Sequence, residues 1–236
     1  MARTPDYPVP ALEKGLDILE ALAAAAVPQS LADLAVLLKR SRNELFRMLN
    51  CLERRGYVTR DPVSAKYSLS LKLYTLAHGH DFADKMVQAA RMPMQQLTER
   101  FRESCHLSIM DRGNLLVIAQ QESPERVRLS IEVGALFEAE RTASGRILLA
   151  FQDDPVPSGL SKVLETIRRA GVSIAESETI EGVRDVAVLV GTPESGMTAA
   201  LAVTRLLRRG ERVNDTALIE GMRAAALEIT RSLGLL

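Results

Sequence analysis

The sequence predicts an α+β protein with a helical N-terminal part and a mixed C-terminal part, and three observations lead to this. Leucines recur at helical spacing in three successive segments of the N-terminal part, and two short alternating runs follow them. The rest of the chain mixes strand-like runs with separate helical patterns, which is typical of a mainly antiparallel sheet with segregated helices. At 236 residues, one large or two smaller domains are expected. Apolar content of 47% and charged content of 25% exclude the disordered and fibrous classes.

The first two helices are predicted from leucine spacing and a capping signal. Leucines at helical spacing predict the first helix: Leu12, Leu16, Leu19 and Leu22. This helix is expected to end near Pro28. Ser30 and Asp33 then have the spacing of a capping box, in which the hydroxyl accepts a hydrogen bond from a free backbone N–H. A short second helix is therefore expected over residues 31–39.

The third helix has one apolar and one polar side. Ser41 is a plausible N-cap, and Gly56 is expected to end the helix. The buried stripe is predicted to consist of Leu45, Met48, Leu49 and Leu52. The opposite side then carries Asn43, Arg47, Asn50 and Arg54. All four have long or forked side chains that can form hydrogen bonds.

A hairpin follows the third helix. The runs YVTR and KYSLS alternate in the manner of strands on either side of a turn that contains Pro62. Three helices and a hairpin form the order of a winged helix-turn-helix, whose third helix enters the major groove of DNA. Between Lys39 and Lys66, eight basic residues stand against three acidic ones, although the whole chain has zero net charge. A neutral protein with one basic segment suits contact with a polyanion.

The remaining chain predicts a linking helix and a second domain. Residues 70–93 are mostly helical in pattern, with Gly79 and Pro93 marking a break or kink. The predicted strands are CHLSIMD, NLLVIAQQ, RVRLSIEV, DVAVLV and MTAALAVTRLL. The predicted helices are TASGRILLAF, LSKVLETIRRAG and a last helix from about Asp215. The expected division is a winged helix-turn-helix in residues 1–69, the linking helix in 70–93 and a further domain in 94–236.

Several segments together resemble the IclR family of bacterial transcriptional regulators. The segments that carry the resemblance, in chain order, are LEKGLDILEAL, SLADLA, FRMLNCLERRGYV, RDPVSAKYSLSLKL, ERTASGRILLAF and EGVRDVAV. The resemblance implies a winged helix-turn-helix, a linking helix and a C-terminal GAF-like domain that binds a small-molecule effector and oligomerises. It also implies binding of double-stranded operator DNA, as a homodimer or a dimer of dimers. We therefore expect a repressor that responds to a metabolite.

The resemblance and the side-chain chemistry together predict a DNA-binding surface. The resemblance implies contacts from the third helix and the wing. Chemistry adds that Arg47 can grip guanine, Asn43 or Asn50 can pair with adenine, and Glu44 can either accept from cytosine or favour the helix dipole. The full predicted set is Arg40, Ser41, Arg42, Asn43, Glu44, Arg47, Asn50, Arg60 and Lys66.

The resemblance also places an effector site in the C-terminal domain. Its residues are Thr142, Ala143, Ser144, Glu176, Asp185, Ala202 and Thr204. The helix after Thr142 offers free N–H groups that could hold an anion, with Arg141, Arg146 or Arg184 near enough in principle to help. A plain helix cap is the alternative interpretation of this segment. The expected effector is a small organic acid or a close carbonyl relative.

An enzyme that turns over this ligand is the main alternative function, and a winged helix used for protein contacts is another. Cys105 and His106 are neighbours on a predicted strand and point to opposite faces, so they cannot act as nucleophile and base together. His106 is expected to be a core or pocket histidine. Ser144 lacks the surrounding Gly-x-Ser-x-Gly pattern, and the sequence has no phosphate loop or dinucleotide fingerprint. We expect no catalytic residue and no cofactor.

Metal binding and membrane contact are not expected. His78 and His80 with Asp81 lack a fourth ligand nearby, which favours a polar hinge over a metal site. Only two cysteines are present, no leader pattern is evident, and the most apolar run is too short to cross a bilayer. The expected compartment is the reducing cytoplasm.

Overall fold

Three helices, a hairpin and a further short helix form the N-terminal unit. The computed structural model describes residues 8–77, 81–152, 159–176, 180–207 and 214–236. The chain divides into two compact units, Met1–His80 and Asp81–Leu236. The elements of the first unit are α1 (Pro10–Ala24), α2 (Leu31–Leu37), α3 (Arg42–Arg54), β1 (Val58–Arg60), β2 (Tyr67–Leu69) and α4 (Lys72–Ala77). This is the predicted order of a winged helix-turn-helix.

Both predicted capping signals are confirmed. The Ser30 hydroxyl accepts a hydrogen bond from the Asp33 amide at 3.2 Å, and the Asp33 carboxylate accepts one in return from the Ser30 amide at 3.0 Å. Ser41 and Glu44 form the same reciprocal pair at the start of α3. These local bonds satisfy amides that have no partner within the helix, which fixes where α2 and α3 begin.

The core of the first unit lies between α1, α2, α3 and the hairpin. Leu45 and Leu49 are completely buried, as the periodicity of α3 predicts, and Met48 and Leu52 are partly buried. The other fully buried large side chains of this core are Ile18, Leu34 and Tyr67. The polar side of α3 is thereby turned outward.

A six-stranded antiparallel sheet with helices on both faces forms the second unit. Its strands are β3 (Ser104–Asp111), β4 (Asn114–Gln121), β5 (Leu136–Glu138), β6 (Ser173–Glu176), β7 (Val183–Thr192) and β8 (Met197–Leu206). They lie in the order β5-β4-β3-β8-β7-β6. Its helices are α5 (Asp81–Phe101), α6 (Ala143–Ala150), α7 (Ser161–Ala170) and α8 (Thr216–Ser232), and a 3-10 turn covers Ala139–Arg141. The predicted α+β class is confirmed.

The two faces of the sheet have separate cores, because successive strand residues point to opposite sides. Leu201 and Val203 of β8 pack with α5 and α8, whereas Ala200 and Ala202 pack with α6 and α7. Gly221 allows the close approach of α8 to α5, since an added Cβ would lie 2.6 Å from the Phe101 ring. The face under α6 and α7 carries the residues of interest below.

Some element predictions for this unit were wrong. The run RVRLSIEV is not a strand: residues 126–133 are irregular, and the edge strand β5 begins later, at Leu136. Residues 129–132 of this run line a cavity instead, and Arg128 Nε donates a hydrogen bond to Glu122 at 2.7 Å. Strand β6 was not predicted at all. Helix α5 continues through Pro93 without ending there.

The division of the chain falls within the predicted linking segment, at residues 80 and 81. Of the residues expected to form a polar hinge, His78 and His80 lie outside the described residues, and Asp81 begins α5. Of the helices that are described, none has both the length and the apolar character needed to span a membrane.

Candidate functional sites

The polar side of α3 is an exposed surface on a rigid support. Asn43, Arg47, Asn50 and Arg54 are all exposed, and Arg42 is exposed at the first turn. On the opposite side, Leu45 and Leu49 are fully buried. The exposed side chains therefore project from a helix whose position is fixed by its core contacts.

Two ion pairs from α1 hold the start of α3. Lys14 Nζ lies 2.8 Å from Glu44 Oε1, and Arg40 Nη2 lies 2.9 Å from Asp17 Oδ2. The hydrogen bond from Lys14, with those from Ser41, lowers the pKa of Glu44 to about 2. In this structure Glu44 and Ser41 serve the cap of α3, and Arg40 is engaged by Asp17. These contacts favour a positioning role for all three residues over a direct role at a base edge.

The far end of α3 is held by the segment after the hairpin. Lys72 Nζ donates to the carbonyl oxygen of Arg55 at 2.5 Å and lies 4.7 Å from the centre of the Tyr57 ring. The Ser70 amide donates to the carbonyl oxygen of Tyr57 at 2.9 Å. A lysine at the carbonyl end of a helix is favoured by the helix dipole. Both ends of α3 are therefore fixed by side chains from other elements.

The wing presents its two predicted basic residues to solvent. Arg60 and Lys66 are both exposed. Arg60 lies 5.5 Å from the centre of the Tyr67 ring, and its Nε donates to the carbonyl oxygen of Ala65 at 3.4 Å. The turn between the strands is shaped by Asp61, whose carboxylate accepts from the Ser64 amide at 2.6 Å. This bond contributes to holding the pKa of Asp61 below its usual value.

A cavity of about 670 Å³ opens in the second unit, on the sheet face that carries α6. It is bounded by the start of α6, the ends of β7 and β8, and the irregular loop before β5. Five of the predicted effector residues line it: Thr142, Ser144, Glu176, Asp185 and Thr204. The other two, Ala143 and Ala202, are completely buried in the core between α6 and the sheet and do not line it. Their small side chains let α6 pack against the strands.

The start of α6 forms one end of the cavity. Thr142 is the N-cap, and its hydroxyl accepts from the Gly145 amide at 2.9 Å. The amides of Ala143 and Ser144 have no carbonyl partner within the helix. Gly145 is required here, because a Cβ would lie 2.1 Å from the carbonyl oxygen of Ala139 in the preceding 3-10 turn. Ser144 therefore reaches the cavity at a tightly packed corner.

His106 lines the cavity beside this corner, although it was absent from the predicted effector set. Its Nε2 lies 3.2 Å from Ser144 Oγ, and only 4% of the residue is exposed. Burial lowers the pKa of His106 to about 4, so the ring is neutral near pH 7. A neutral imidazole can orient the Ser144 hydroxyl through this hydrogen bond.

Asp185 and Thr204 form another polar part of the cavity wall. They face each other in register on β7 and β8. Burial raises the pKa of Asp185, and the neighbouring Thr204 hydroxyl offsets part of that increase. Neither Asp185 Oδ1 nor Thr204 Oγ1 has a hydrogen-bond partner among the described residues. The two side chains are therefore neighbours that do not form a well-aligned hydrogen bond with each other. Both atoms are buried.

The charges around the cavity are mainly acidic. Glu132, Glu138, Glu176 and Asp185 line it, with Arg141 as the one arginine or lysine among the described lining residues. Glu138 and Glu176 are about three-quarters exposed, each with a side-chain exposure of 73%, so solvent screens them. Arg184 lies 3.5 Å from Glu176 and 3.0 Å from Asp215 at the start of α8. The loop residues were missed in the sequence because only the folded chain brings them to α6, whereas His106, expected as a core or pocket histidine, does line the cavity.

No group of three or more histidine, cysteine or acidic residues is arranged to hold a metal within the described ranges. Cys105 is buried, and burial raises the pKa of its thiol to about 12, which leaves it unreactive at neutral pH. Cys51 is exposed on α3.

A winged helix-turn-helix with an exposed polar helix face, followed by an α+β unit with a ligand-sized cavity, defines a DNA-binding regulator that responds to a small molecule. The helix-turn-helix segment and the C-terminal segment each match a family description. "IclR helix-turn-helix domain" matches residues 11–62, and "Bacterial transcriptional regulator IclR C-terminal" matches residues 83–157 and 155–231. The chain belongs to the IclR family of bacterial transcriptional regulators.

Individual relatives agree with this membership over nearly the full length. The chain is 25% identical to the HTH-type transcriptional regulator XynR of Escherichia coli (strain K12), over 96% of this chain and 98% of that one. It is also 25% identical to the glycerol operon regulatory protein of Streptomyces coelicolor, over 96% of this chain and 97% of that one. A crystal structure of an IclR homolog complexed with 4-hydroxybenzoate, from Microbacterium hydrocarbonoxydans, has the same fold with a TM-score of 0.78. That structure is 21% identical and covers 95% of this chain and 99% of its own.

Proposed function

We propose that the protein is a repressor that binds operator DNA through α3 and the wing and responds to a small organic acid or related carbonyl compound. The observation that carries this proposal is the exposed row of Asn43, Arg47 and Asn50 on α3. The opposite side of this helix is buried in the core, and side chains from other elements bind both of its ends. Long hydrogen-bonding side chains on such a support have the chemistry of base recognition.

Each exposed residue is assigned a role by its chemistry. The Arg47 guanidinium donates bidentate hydrogen bonds to the O6 and N7 atoms of guanine, and Asn43 or Asn50 forms hydrogen bonds with adenine. Arg42, Arg60 and Lys66 contact phosphates. Arg40, Ser41 and Glu44, which were predicted as contacts, act in this proposal by positioning α3, because each is engaged within the first unit.

The effector is held at the start of α6. The amide of Ser144, with that of Ala143 behind it, provides the positive end of the helix dipole, and Arg141 lies at the same cavity. The 4-hydroxybenzoate bound to the Microbacterium homolog is itself a carboxylate, which supports this class of effector. Ligand binding needs to change the free energy of DNA binding by only ~1–3 kcal/mol to alter occupancy of the operator.

Two copies of the chain act together in this proposal, as a homodimer or a dimer of dimers in the cytoplasm. A single winged helix makes few contacts, and paired modules reading two half-sites provide specificity. Exposed apolar residues on α1 support this, since Leu12 is 59% exposed and Leu16 is 48% exposed.

The protein is proposed to bind its effector without transforming it. Ser144 and His106 form a hydroxyl–imidazole pair of the kind that can activate a nucleophile. A histidine with a pKa near 4 is, however, a weak base at neutral pH. We expect ligand concentrations to stay constant for hours with stoichiometric protein, and steady consumption would favour an enzyme instead.

Titration of the protein with DNA from upstream of its own gene tests the function. Fluorescence anisotropy should show tighter binding to that DNA than to a scrambled duplex, with affinity falling steeply as salt rises from about 50 to about 200 mM. Equal affinity for both duplexes under all salt conditions would contradict the assignment as a specific regulator.

A further inference from the structure

Two buried polar atoms on neighbouring strands line the cavity and have no hydrogen-bond partner among the described residues. Asp185 Oδ1 on β7 and Thr204 Oγ1 on β8 belong to residues that pair in register, and Thr204 is only 7% exposed. Leaving such groups unpaired is costly, so unpaired buried polar atoms are uncommon in folded proteins. Both residues line the same cavity, which indicates that a ligand completes their hydrogen bonds.

The partner that Asp185 lacks is a donor. A carboxylate accepts hydrogen bonds, and Asp185 Oδ1 accepts none from the described residues, although the Thr204 hydroxyl is near enough to lower the pKa of Asp185. Its chain neighbour Arg184 is already engaged by Glu176 and Asp215. A ligand that presented only a carboxylate here would face a like charge, whereas a hydroxyl or amino group would supply the missing hydrogen.

The position at Asp185 and Thr204, which we call the donor site because a ligand would donate a hydrogen bond there, is separate from the start of α6. On the sheet, His106 pairs with Ala202 and Ala202 pairs with Ala187, while Asp185 and Thr204 form the next row on the same face. The rows are about 7 Å apart along the strands, and β3 and β7 are about 10 Å apart across them. Ser144 bonds to His106, so the α6 end and the Asp185 end are distinct positions in one cavity.

Apart from these two polar ends, about half of the residues that line the cavity are apolar. The aliphatic and aromatic residues of the wall are Leu115, Leu129, Ile131, Ala135, Leu136, Phe137, Ala175, Ile180 and Val183. Such a wall favours a carbon body over a string of polar groups. The three parts of the cavity therefore match a molecule with an acceptor at one end, an apolar middle and a donor at the other end.

We propose that the effector is bifunctional, an organic acid or carbonyl compound that also carries a hydroxyl or amino group and donates a hydrogen bond from it to Asp185 and Thr204. This inference rests on the proposed effector site at α6. It narrows the class of effectors to hydroxy acids and amino acids of extended shape. Acids without a hydrogen-bond donor at the other end are expected to bind weakly.

Matched ligand series test the proposal by isothermal titration calorimetry on the full chain. One series is benzoate, 4-hydroxybenzoate and 4-aminobenzoate, and the other is hexanoate, 6-hydroxyhexanoate and 6-aminohexanoate. In at least one series, the hydroxy or amino compound should bind at least tenfold more tightly than the parent acid. The aromatic amine is neutral and the aliphatic amine is cationic near pH 7, so the two series distinguish a neutral donor from a cationic one.

Variants locate the effect. Asp185→Ala should reduce the preference for the donor-bearing compound over the parent acid to within about twofold. Ser108→Ala is the matched control, because Ser108 is a buried, unpartnered hydroxyl on β3 that does not line the cavity. Without ligand, Asp185→Ala should melt at or above the temperature of the unmodified protein, since it removes a partly buried carboxylate whose Oδ1 has no partner among the described residues.

The outcomes separate the two proposals. If the parent acids bind as tightly as their hydroxy and amino derivatives, the donor site is wrong while the α6 site stands. If no compound of either series binds, the proposed effector site fails and the donor site with it. A lower melting temperature for Asp185→Ala, with the ligand preference retained, would show that Asp185 serves the fold and would overturn the inference.

Discussion

Arg47 projects from the exposed side of α3, while Leu45 and Leu49 on the opposite side are completely buried. Its side chain can therefore be removed without disturbing the core. The effect of removing it on DNA binding depends on what Arg47 contacts. A bidentate contact with a base carries sequence information, whereas a phosphate contact does not.

We predict that Arg47→Ala weakens binding to operator DNA by about 1–3 kcal/mol and relaxes the preference for one base pair. Arg112→Ala is the control, since Arg112 lies at an exposed turn of the second unit and the change in charge is the same. Both variants should keep the melting temperature of the unmodified protein. Gel-shift affinities of Arg47→Ala within twofold of the unmodified protein, on operator and scrambled DNA alike, would disprove the role.

His106 makes the stability of the second unit depend on pH. Its folded pKa of about 4 lies below the ordinary value of 6.5, so its contribution to stability is full above pH 6.5 and is lost as pH falls through 4. We predict that this one residue costs about 3 kcal/mol of unfolding free energy between pH 7 and pH 4. Urea unfolding at both pH values should show a smaller decrease for His106→Gln. Parallel decreases in the two proteins would contradict a neutral, buried His106.

At the scale of elements, the start of α6 depends on one glycine. Gly145 lies so close to the 3-10 turn at Ala139 that a Cβ would approach its carbonyl oxygen to 2.1 Å. The backbone must move to accept any side chain, because the obstructing atom is not part of a flexible side chain. The corner that holds Ser144 and His106 would move with it.

We predict that Gly145→Ala lowers the melting temperature of the second unit and weakens effector binding, because α6 is displaced from its turn. The same substitution at Gly15 in α1 is the control, since no described residue outside the neighbouring helix backbone lies within 4 Å of a Cβ there. Gly15→Ala should be neutral or stabilising by up to ~1 kcal/mol, as alanine favours a helix. Equal melting temperatures for Gly145→Ala and the unmodified protein would show that the corner is not tightly packed.

Elements defined by local signals could be predicted from the sequence, and those defined by distant partners could not. The capping residues Ser30 and Ser41 bond within their own first turn, so their spacing alone identifies them. Strand β6 pairs only with β7, and its sequence alone does not reveal this. The run before β5 alternates in polarity as a strand would, yet its residues 129–132 line a cavity together, and the pattern alone does not reveal this.

At the scale of the molecule, the candidate sites combine residues from distant parts of the chain. Lys14 reaches Glu44 across 30 residues, and His106 reaches Ser144 across 38. Spacing and chemistry predict the exposed side of α3, but they do not predict that α1 engages Arg40 and Glu44. In the cavity, the resemblance to a family predicted Thr142, Ser144 and Asp185, which do line it, while the wall provided by the loop before β5 required the folded chain.

The whole molecule is also predicted to act in pairs. Sedimentation velocity at micromolar concentration should show a dimer or a larger even assembly, because specific binding needs two winged helices on two half-sites. Leu12→Asp with Leu16→Asp should shift the population toward the monomer if α1 forms the contact. A monomer alone, with and without DNA, would refute paired action.

Selection of bound duplexes from a randomised DNA library tests the central claim most directly. The unmodified protein should enrich a defined motif, with two related half-sites if it acts as a dimer, and Arg47→Ala should lose preference at particular positions of that motif while other positions persist. Enrichment of no motif, or the same motif with the same preferences for both proteins, would contradict the claim that α3 reads the operator.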